Sequence, residues 1–314
     1  MKNRIFLLVL STQLAGCMVG ANDEIGLASS LRGMGSVDWS KQSITQPSDI
    51  SPVFKEGTSA GMYSYNGGAN VYVDEDENGK PVFIVEGDVE NRGSDYTYAS
   101  KKISYDKDGF VNISFNEPQQ YQGCRNCRAV SNGSVNTSSG KSSLILGGNA
   151  TNLTYTDFGM FKTYNNGQTY YTPVVMDTFD PANNIYINVG DNVKFTGKTV
   201  AVLNGETDLR GNVNLTLKYN NNGPKADLEI DFDKYKKFTG QDLEINGSTI
   251  NGTMRGGLLF NSNVGYYGNG NGLATEINGM YTLDNPYTND YIDGAFGVKS
   301  NNGVEVSYGC WECK

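Results

Sequence analysis

Apolar and polar residues alternate with a period of two along much of the chain, and Gly or Asn separates one alternating segment from the next. Leu228 and Ile230, for example, alternate with Glu229 and Asp231. Because successive side chains of a strand point to opposite faces of a sheet, this alternation predicts antiparallel strands with one face in a core. Segments with helical periodicity are scarce, so the sequence predicts an all-β protein.

Residues 191–314 contain about eight predicted strands, which is enough to close a small barrel whose interior is filled by side chains. Glycines within these strands suit the bends that occur at barrel corners. We therefore predict a C-terminal eight-stranded antiparallel β-barrel. The predicted strands span residues 193–203, 209–219, 226–232, 243–245, 257–260, 273–281, 291–298 and 303–308.

Residues 54–190 show the same alternation, and we predict that they form a β-sandwich packed against the barrel. A charged stretch that ends in Asn-Gly, residues 74–79, separates two of the strands and predicts a hairpin turn. The predicted strands of this domain span residues 69–73, 81–86, 102–105, 110–115, 144–146, 155–164, 170–176 and 185–189.

Four segments of the second half share a rhythm of glycine, apolar and aromatic residues: Ala226–Phe232, Ile250–Met254, Gly272–Gly279 and Ile292–Val298. This pattern resembles the C-terminal barrel of the transferrin-binding-protein-B-like surface lipoproteins of Gram-negative bacteria. Its most specific part is the Ile-x-Gly-Ala-Phe-Gly ending. The chain departs from the pattern at Met254 and Met280, where aromatic residues are expected. The first half of the chain carries no motif of the family.

The resemblance implies a two-part protein in which residues 54–190 form the domain that is called the handle in that family. It also implies a lipoprotein that is exported by surface lipoprotein assembly modulators, binds a host protein and works with a TonB-dependent transporter. The single-lobed haemoglobin–haptoglobin receptors of the family fit best, so the expected host protein is haemoglobin or haemoglobin–haptoglobin, for haem and iron acquisition. Binding of transferrin or of a complement regulator such as factor H is the alternative. Direct carriage of haem or a metal is a third hypothesis.

The N-terminus has the features of a secreted protein. Lys2 and Arg4 precede the apolar residues 5–10, and small residues lead up to Cys17. This order predicts a signal peptide over residues 1–16, whose apolar region is too short to span a membrane. Cys17 directly follows Leu-Ala-Gly, the arrangement of a bacterial lipobox. We therefore predict that Cys17 is lipidated; an ordinary signal peptide with an incidental cysteine is the alternative.

The residues after the lipobox predict where the protein goes. Met18, rather than Asp, follows the cysteine, which predicts a lipid anchor in the outer membrane with the folded part facing the cell exterior. Residues 17–53 are rich in Ser, Gly, Gln and Asp and show little periodicity. We predict a flexible tether there, with a short docking strand as the alternative.

Composition narrows the function classes. The chain has a net charge of −9 and contains no His. Its acidity is poorly suited to nucleic acid, so no nucleic-acid partner is predicted. The absence of His removes the commonest general base and metal ligand, and it excludes haem ligation through His. No nucleophile elbow, phosphate-binding loop or metalloprotease motif is present. We therefore predict a binding protein with no catalytic residues, metal or cofactor.

Besides Cys17, the cysteines form two Cys-x-x-Cys pairs, Cys124 with Cys127 and Cys310 with Cys313. An exported chain enters an oxidising compartment, which favours two disulfides. Pairing within each motif is one arrangement, and pairing between the motifs would tie the chain end to the first domain. A zinc site with four cysteine ligands and a redox role are the alternatives, although the separation of the two pairs is not that of a zinc ribbon.

Four stretches of the chain are dense in Tyr, Asn and Gly. Tyr offers a large contact area at low entropic cost, and Gly and Asn allow adaptable backbones, so such loops are typical of protein-binding surfaces. The same composition also occurs on β-rich surface proteins that do not use it for binding. The candidate partner-binding residues are Tyr121, Arg125, Arg128, Tyr164, Tyr170, Tyr171, Tyr266, Tyr267, Tyr287 and Tyr291.

Overall fold

The computed structural model describes residues 44, 46–54, 59–65, 67–76, 78–89, 95–120, 142–165, 168–177, 184–186, 192–268 and 272–307. Strands dominate these residues, which confirms the predicted all-β class. The helical segments within the described ranges are α1 (Gly148–Thr151) and two 3₁₀ turns, Pro47–Asp49 and Pro52–Phe54. No helix in this part of the chain is long and apolar enough to cross a membrane. The signal peptide, Cys17 and residues 17–43 of the tether lie outside the described residues and stay predictions.

The first sheet contains β1 (Ala60–Tyr63), β2 (Gly68–Glu75), β3 (Pro81–Asp88), β4 (Tyr96–Tyr105), β5 (Val111–Phe115), β6 (Gln119–Gln120), β7 (Ser143–Leu146), β8 (Thr156–Asn165) and β9 (Gln168–Asp177). Its order is β3-β2-β1-β9-β8-β7-β5-β4-β6, and every neighbouring pair is antiparallel. Because β3 also pairs with β4, eight of these strands close into a ring. The domain is thus a closed barrel where the sequence predicted a sandwich. Both architectures have the same alternation of apolar and polar residues, so the pattern does not distinguish them.

The second sheet contains β10 (Asn184–Tyr186), β11 (Asn192–Leu203), β12 (Thr207–Asn220), β13 (Gly223–Phe232), β14 (Lys237–Asn246), β15 (Thr249–Thr253), β16 (Leu259–Gly268), β17 (Leu273–Asp284) and β18 (Tyr291–Ser307). Strands β11 to β18 pair in chain order, and β18 closes the ring by pairing with both β17 and β11. This confirms the predicted C-terminal eight-stranded antiparallel barrel. Gly197 permits a close approach within the ring, since a Cβ there would lie 2.0 Å from the carbonyl oxygen of Gly297.

Each barrel has its own apolar interior. In the C-terminal barrel, Phe195, Tyr281 and Phe296 are almost completely buried. The Tyr281 hydroxyl lies 2.9 Å from the Thr199 hydroxyl, which donates to the carbonyl oxygen of Ala295 at 2.9 Å. The buried phenol therefore keeps a hydrogen-bond partner. Burying one such large side chain stabilises the fold by about 1.5–3 kcal/mol.

Residues 46–54, called the plug below, close one end of the N-terminal barrel. Ile50 and Phe54 are buried in its apolar core, and the Phe54 ring meets the Phe83 ring with centroids 5.8 Å apart. The flexible tether predicted for residues 17–53 is therefore wrong for the part that belongs to the plug. The short apolar run that ends at Phe54 is enough to draw this part of the chain into the core.

Polar contacts fix the plug in place. The Ser51 hydroxyl donates to Asp157 Oδ2 at 2.7 Å, and the backbone N–H groups of Gly148 and Phe158 donate to Asp157 Oδ1, each at 2.7 Å. Burial raises the pKa of Asp157 to about 7, although these donors favour its charged form. The Asn149 amide donates to the carbonyl oxygen of Asp49 at 2.9 Å. The plug thus lies beside α1, at the end of the barrel opposite to the β8–β9 turn.

Candidate functional site

The outer faces of the two barrels pack against each other. Phe158 and Met160 of β8 share an apolar cluster with residues of β11, β17 and β18, namely Val200, Val202, Met280 and Ala295. A Cβ added to Gly297 would lie 2.4 Å from the Phe158 ring, so this ring lies directly on the backbone of β18. Burial of these side chains makes the contact between the barrels part of the folded core.

A buried carboxylate reinforces the contact. Glu276 on β17 is fully buried and accepts the backbone N–H groups of Thr154 and Tyr155 from the N-terminal barrel at 2.6 and 2.9 Å. Lys299 Nζ forms an ion pair with the same carboxylate at 3.1 Å and donates to the carbonyl oxygen of Asn152 at 2.7 Å. The charge of Glu276 is therefore compensated by groups from both barrels.

Further polar groups cross the boundary. The Tyr267 hydroxyl donates to Asp177 Oδ2 at 2.8 Å, and burial together with this carboxylate raises the pKa of Tyr267 well above its usual value. Asn278 donates to the Thr156 hydroxyl and, at 3.1 Å, to the carbonyl oxygen of Asp157. Hydrogen bonds of this kind require defined positions for both partners, so they hold the barrels in one relative orientation.

Alternate turns of the C-terminal barrel lie at one end, because consecutive strands of the ring are antiparallel. These turns, called the loop end below, are residues 204–206, 233–236, 254–258 and 285–290. Asn204 connects two of them: its amide donates to Asp290 Oδ1 at 3.1 Å, and its side-chain oxygen accepts the Tyr291 N–H at 2.9 Å. Donation by Asn204 and by the Thr288 hydroxyl lowers the pKa of Asp290.

Among the described residues, the most exposed aromatic side chain stands on a hydrogen-bonded loop. The Tyr287 side chain is 81% exposed. The side-chain oxygen of Asn285 accepts the Tyr287 N–H at 3.0 Å, and the backbone N–H of Asn285 donates to the carbonyl oxygen of Asp290 at 3.0 Å. Since the loop closes on itself through these bonds, Tyr287 is presented to solvent by a defined backbone.

The β8–β9 hairpin of the N-terminal barrel reaches the same end. The Tyr171 hydroxyl donates to the carbonyl oxygen of Glu206 at 3.3 Å, and Lys162 Nζ lies 4.8 Å from the centre of the Tyr171 ring. Tyr164 and Tyr170 are exposed on the same hairpin. We call the tyrosines around the loop end the tyrosine face. Its members are Tyr164, Tyr170, Tyr171, Tyr235, Tyr287 and Tyr291.

Sequence reasoning did not find Tyr235, which is 46% exposed in the 233–236 turn. The flanking residues are Lys and Asp instead of Asn and Gly, so the composition signal of the other loops is missing. The alternation of β13, which ends at Phe232, places Tyr235 just beyond a strand and is the signal that could have found it.

The prediction that Tyr266 and Tyr267 belong to a binding loop is wrong. Both lie in β16 and are buried. Tyr266 points into the barrel, where its hydroxyl donates to the carbonyl oxygen of Gly247 at 3.3 Å, and Tyr267 lies between the barrels. The glycines on either side, Gly265 and Gly268, resemble a loop in composition, but each makes a close contact inside the sheet.

The other predicted site residues lie outside the described part of the chain. They are Tyr121, Cys124, Arg125, Cys127, Arg128, Cys310 and Cys313. Disulfide pairing and a zinc site therefore both stay hypotheses. Among the described residues, no group of three or more His, Cys, Asp or Glu side chains could hold a metal ion.

Comparisons with known proteins find similarity to solved structures but none to curated sequences. No family model matches the sequence, and no curated protein matches it. The isotype 1 transferrin-binding protein B of serogroup B Neisseria meningitidis is similar over 75% of this chain, with a TM-score of 0.37 and 11% identity. The chain covers 64% of that protein, which is less than two thirds of its length. A protein of unknown function from the DUF3598 family of Nostoc punctiforme is similar over 77% of this chain and 93% of its own, with a TM-score of 0.28 and 8% identity.

Proposed function

We propose that this chain is a surface lipoprotein that binds a host protein through the tyrosine face. The observation that carries the proposal is the exposure of Tyr287 on a hydrogen-bonded loop, at an end of the barrel that the Tyr171 hydroxyl of the other barrel also reaches. Aromatic side chains supply much of the binding energy in protein interfaces, and Tyr does so with few rotatable bonds.

Order in the free protein favours binding. Association costs about 0.5–1.5 kcal/mol for each flexible side chain that becomes fixed, so a loop already held by internal hydrogen bonds loses less. Asn204 and Asn285 supply these bonds at the loop end. The contact between the barrels also lowers the entropic cost of binding, because it holds the β8–β9 hairpin and the loop end in one relative position before a partner binds.

The predicted lipobox at Cys17 and the family resemblance support a place on the outer membrane, facing the cell exterior. They also support export by surface lipoprotein assembly modulators and delivery to a TonB-dependent transporter. Haemoglobin or haemoglobin–haptoglobin is the host protein that we propose, for haem and iron acquisition. The chain contains no His, which suits a receptor whose bound carrier retains the haem.

A capture experiment tests the proposal. The full chain is immobilised and exposed to human serum supplemented with haemolysate, beside a variant with Tyr287→Ala and Tyr291→Ala. We expect retention of haemoglobin, with or without haptoglobin, and at least about a tenfold loss of affinity in the variant, since truncating a central aromatic anchor typically costs about 2 kcal/mol or more. Leu273→Ala is the matched control, because this exposed side chain lies at the opposite end of the barrel.

Any other result of the capture experiment would change the proposed function. Retention of factor H without haemoglobin would assign the protein to complement evasion. Retention of transferrin would change the cargo but keep the class of receptor. If no serum or red-cell protein is retained, the host-protein reading is wrong and direct carriage of a small ligand takes its place. Equal binding by the double variant would show that the tyrosine face is not the site.

A further inference from the structure

A second candidate site lies on the side of the C-terminal barrel, next to its contact with the N-terminal barrel. A cavity of about 300 Å³ opens there between the outer face of β15, β16 and β17 and the β1–β2 turn. Its volume is at the lower end of the range for small-ligand sites, about 300–1,000 Å³. The residues that line it are polar or aromatic: Tyr65, Thr249, Asn251, Asn261, Ser262, Asn263 and Thr282.

The strand register arranges the polar side chains of the cavity in rows. Asn251 lies opposite Asn261, and Asn261 lies opposite Thr282, so these three side chains form one row across three strands. Thr249 and Asn263 are opposite each other in the next row. Directly opposed residues have Cβ atoms about 4.5–5.5 Å apart, so a single small ring can reach groups on two strands at once.

Several of these groups are available for a ligand. The side chains of Asn261, Asn263 and Thr282 form no hydrogen bond with any other described residue, whereas Asn251 uses its oxygen to accept the Ser262 N–H at 3.1 Å. An amide offers two donors and an acceptor, and a hydroxyl offers both functions. The available groups therefore suit a ligand that carries several neighbouring hydroxyls.

Tyr65 adds an apolar surface to this polar platform. Its side chain is 43% exposed at the rim of the cavity, so one face of the ring remains open to a ligand. The negative face of an aromatic ring attracts polarised C–H groups. A ring compound with hydroxyls on its edge and C–H groups on its face matches both parts of the site.

Charge and topology narrow the ligand class. None of the lining side chains is charged. Burial is the main cause that raises the pKa of Tyr65, and the nearby carboxylate of Asp293 adds to it, so negative charge lies close to the Tyr65 side of the cavity. An anionic ligand is therefore disfavoured. Strands β15, β16 and β17 are each paired on both sides, so no free edge is present for an extended peptide.

We propose that this cavity binds an uncharged saccharide. The amide and hydroxyl rows of β15, β16 and β17 bond to sugar hydroxyls, and the Tyr65 ring packs on the C–H face of the sugar. This site is separate from the tyrosine face, so saccharide binding at the cavity does not depend on host-protein binding at the tyrosine face.

The test uses an array of neutral and sialylated mammalian glycans probed with the full chain. We compare the wild type with a variant that carries Asn261→Ala and Asn263→Ala, two outward-facing changes that remove no internal hydrogen bond. Binding of neutral glycans by the wild type, about tenfold weaker in the variant, is the expected result, because two hydrogen bonds to the ligand are lost. Asn214→Ala, an exposed residue on the outer face of β12, is the matched control.

Three results would overturn the saccharide site: no neutral glycan bound by the wild type, equal binding by the variant, or a preference for the sialylated form of the same glycan. Saturation-transfer NMR with N-acetyllactosamine and sialyllactose in solution repeats the comparison without a surface. The Tyr287→Ala, Tyr291→Ala variant should bind the glycans as the wild type does, which separates this site from the tyrosine face.

Discussion

Glu276 is a single residue on which the contact between the two barrels depends. Its buried carboxylate is the acceptor for two backbone N–H groups of the N-terminal barrel and the partner of Lys299. Replacement by Ala would leave these donors without an acceptor inside the protein. Because unpaired buried polar groups are costly, Glu276 should contribute far more to the stability of the fold than a carboxylate in an exposed ion pair does.

We therefore expect Glu276→Ala to lower the free energy of unfolding by about 3–5 kcal/mol, as measured by chemical denaturation of the full chain. Glu229→Ala is the control, because Glu229 is a partly exposed partner of Lys237, and such pairs contribute about 0–1 kcal/mol. Similar losses in the two variants would contradict the assignment of Glu276 to a buried network.

Asp157 makes stability depend on pH. Its pKa is about 7 in the folded protein, against an ordinary value of 3.8, so the native state holds a proton that the unfolded chain releases. The stability that this proton contributes is fully present below the ordinary pKa and is lost as the pH rises through about 7. The sign is opposite to that of a carboxylate whose pKa is lowered by an ion pair.

In Asp157→Asn, the amide keeps an oxygen for the N–H groups of Gly148 and Phe158 but has no proton to lose. Between the ordinary and the raised pKa, we expect the wild type to lose stability relative to this variant by at most about 1.4 kcal/mol per pH unit. Thermal unfolding of both proteins across that pH range measures the difference. Parallel pH profiles would show that Asp157 does not titrate in this way.

At the scale of structural elements, the loop end depends on how its turns are connected. Asn204 has a left-handed backbone with φ of 52° and bridges the 204–206 turn to the 285–290 turn. Asn204→Gly keeps this backbone conformation and removes only the bridging side chain. We expect the affinity for the proposed host protein to fall several-fold through faster dissociation, because the loop that carries Tyr287 is less ordered in the variant.

Surface plasmon resonance with haemoglobin and the immobilised full chain measures this change. Unchanged kinetics would show that the bridge does not order the binding surface. Asn214→Gly, with an exposed side chain on β12, tests the effect of an equivalent change away from the loop end.

The strands were easier to predict than the way they close. Alternation located most strands of both barrels, because it depends only on each residue's own face of the sheet. It missed β1, β6 and β15, divided β18 into two strands, and assigned β10 to the first domain, although β10 pairs with β18. The pairing of β3 with β4, which makes a ring of the first sheet, depends on residues far apart in the chain. Composition misplaced Tyr266 and Tyr267 for a related reason: whether a Tyr-rich segment is a loop or a strand is decided by its neighbours in space.

At the scale of the whole molecule, no pattern in the sequence marks the contact between the barrels. Glu276 and Asn278 alternate along β17 like ordinary solvent-facing residues, and only the backbone groups of the other barrel explain their burial. The tyrosine face was predictable in part, since Tyr164, Tyr170, Tyr171, Tyr287 and Tyr291 lie on or beside turns. That they share one end with Tyr235 follows from the antiparallel rings and the contact between them.

The position of the plug has a mechanical consequence. The plug closes the end of the N-terminal barrel opposite to the β8–β9 turn, so a chain anchored upstream of it and a partner held at the tyrosine face would pull from opposite ends. Tension would then act along the barrel, where many strand hydrogen bonds must break together. The Ser51–Asp157 bond and the Phe54–Phe83 contact lie nearest to the anchored side and would meet that tension first.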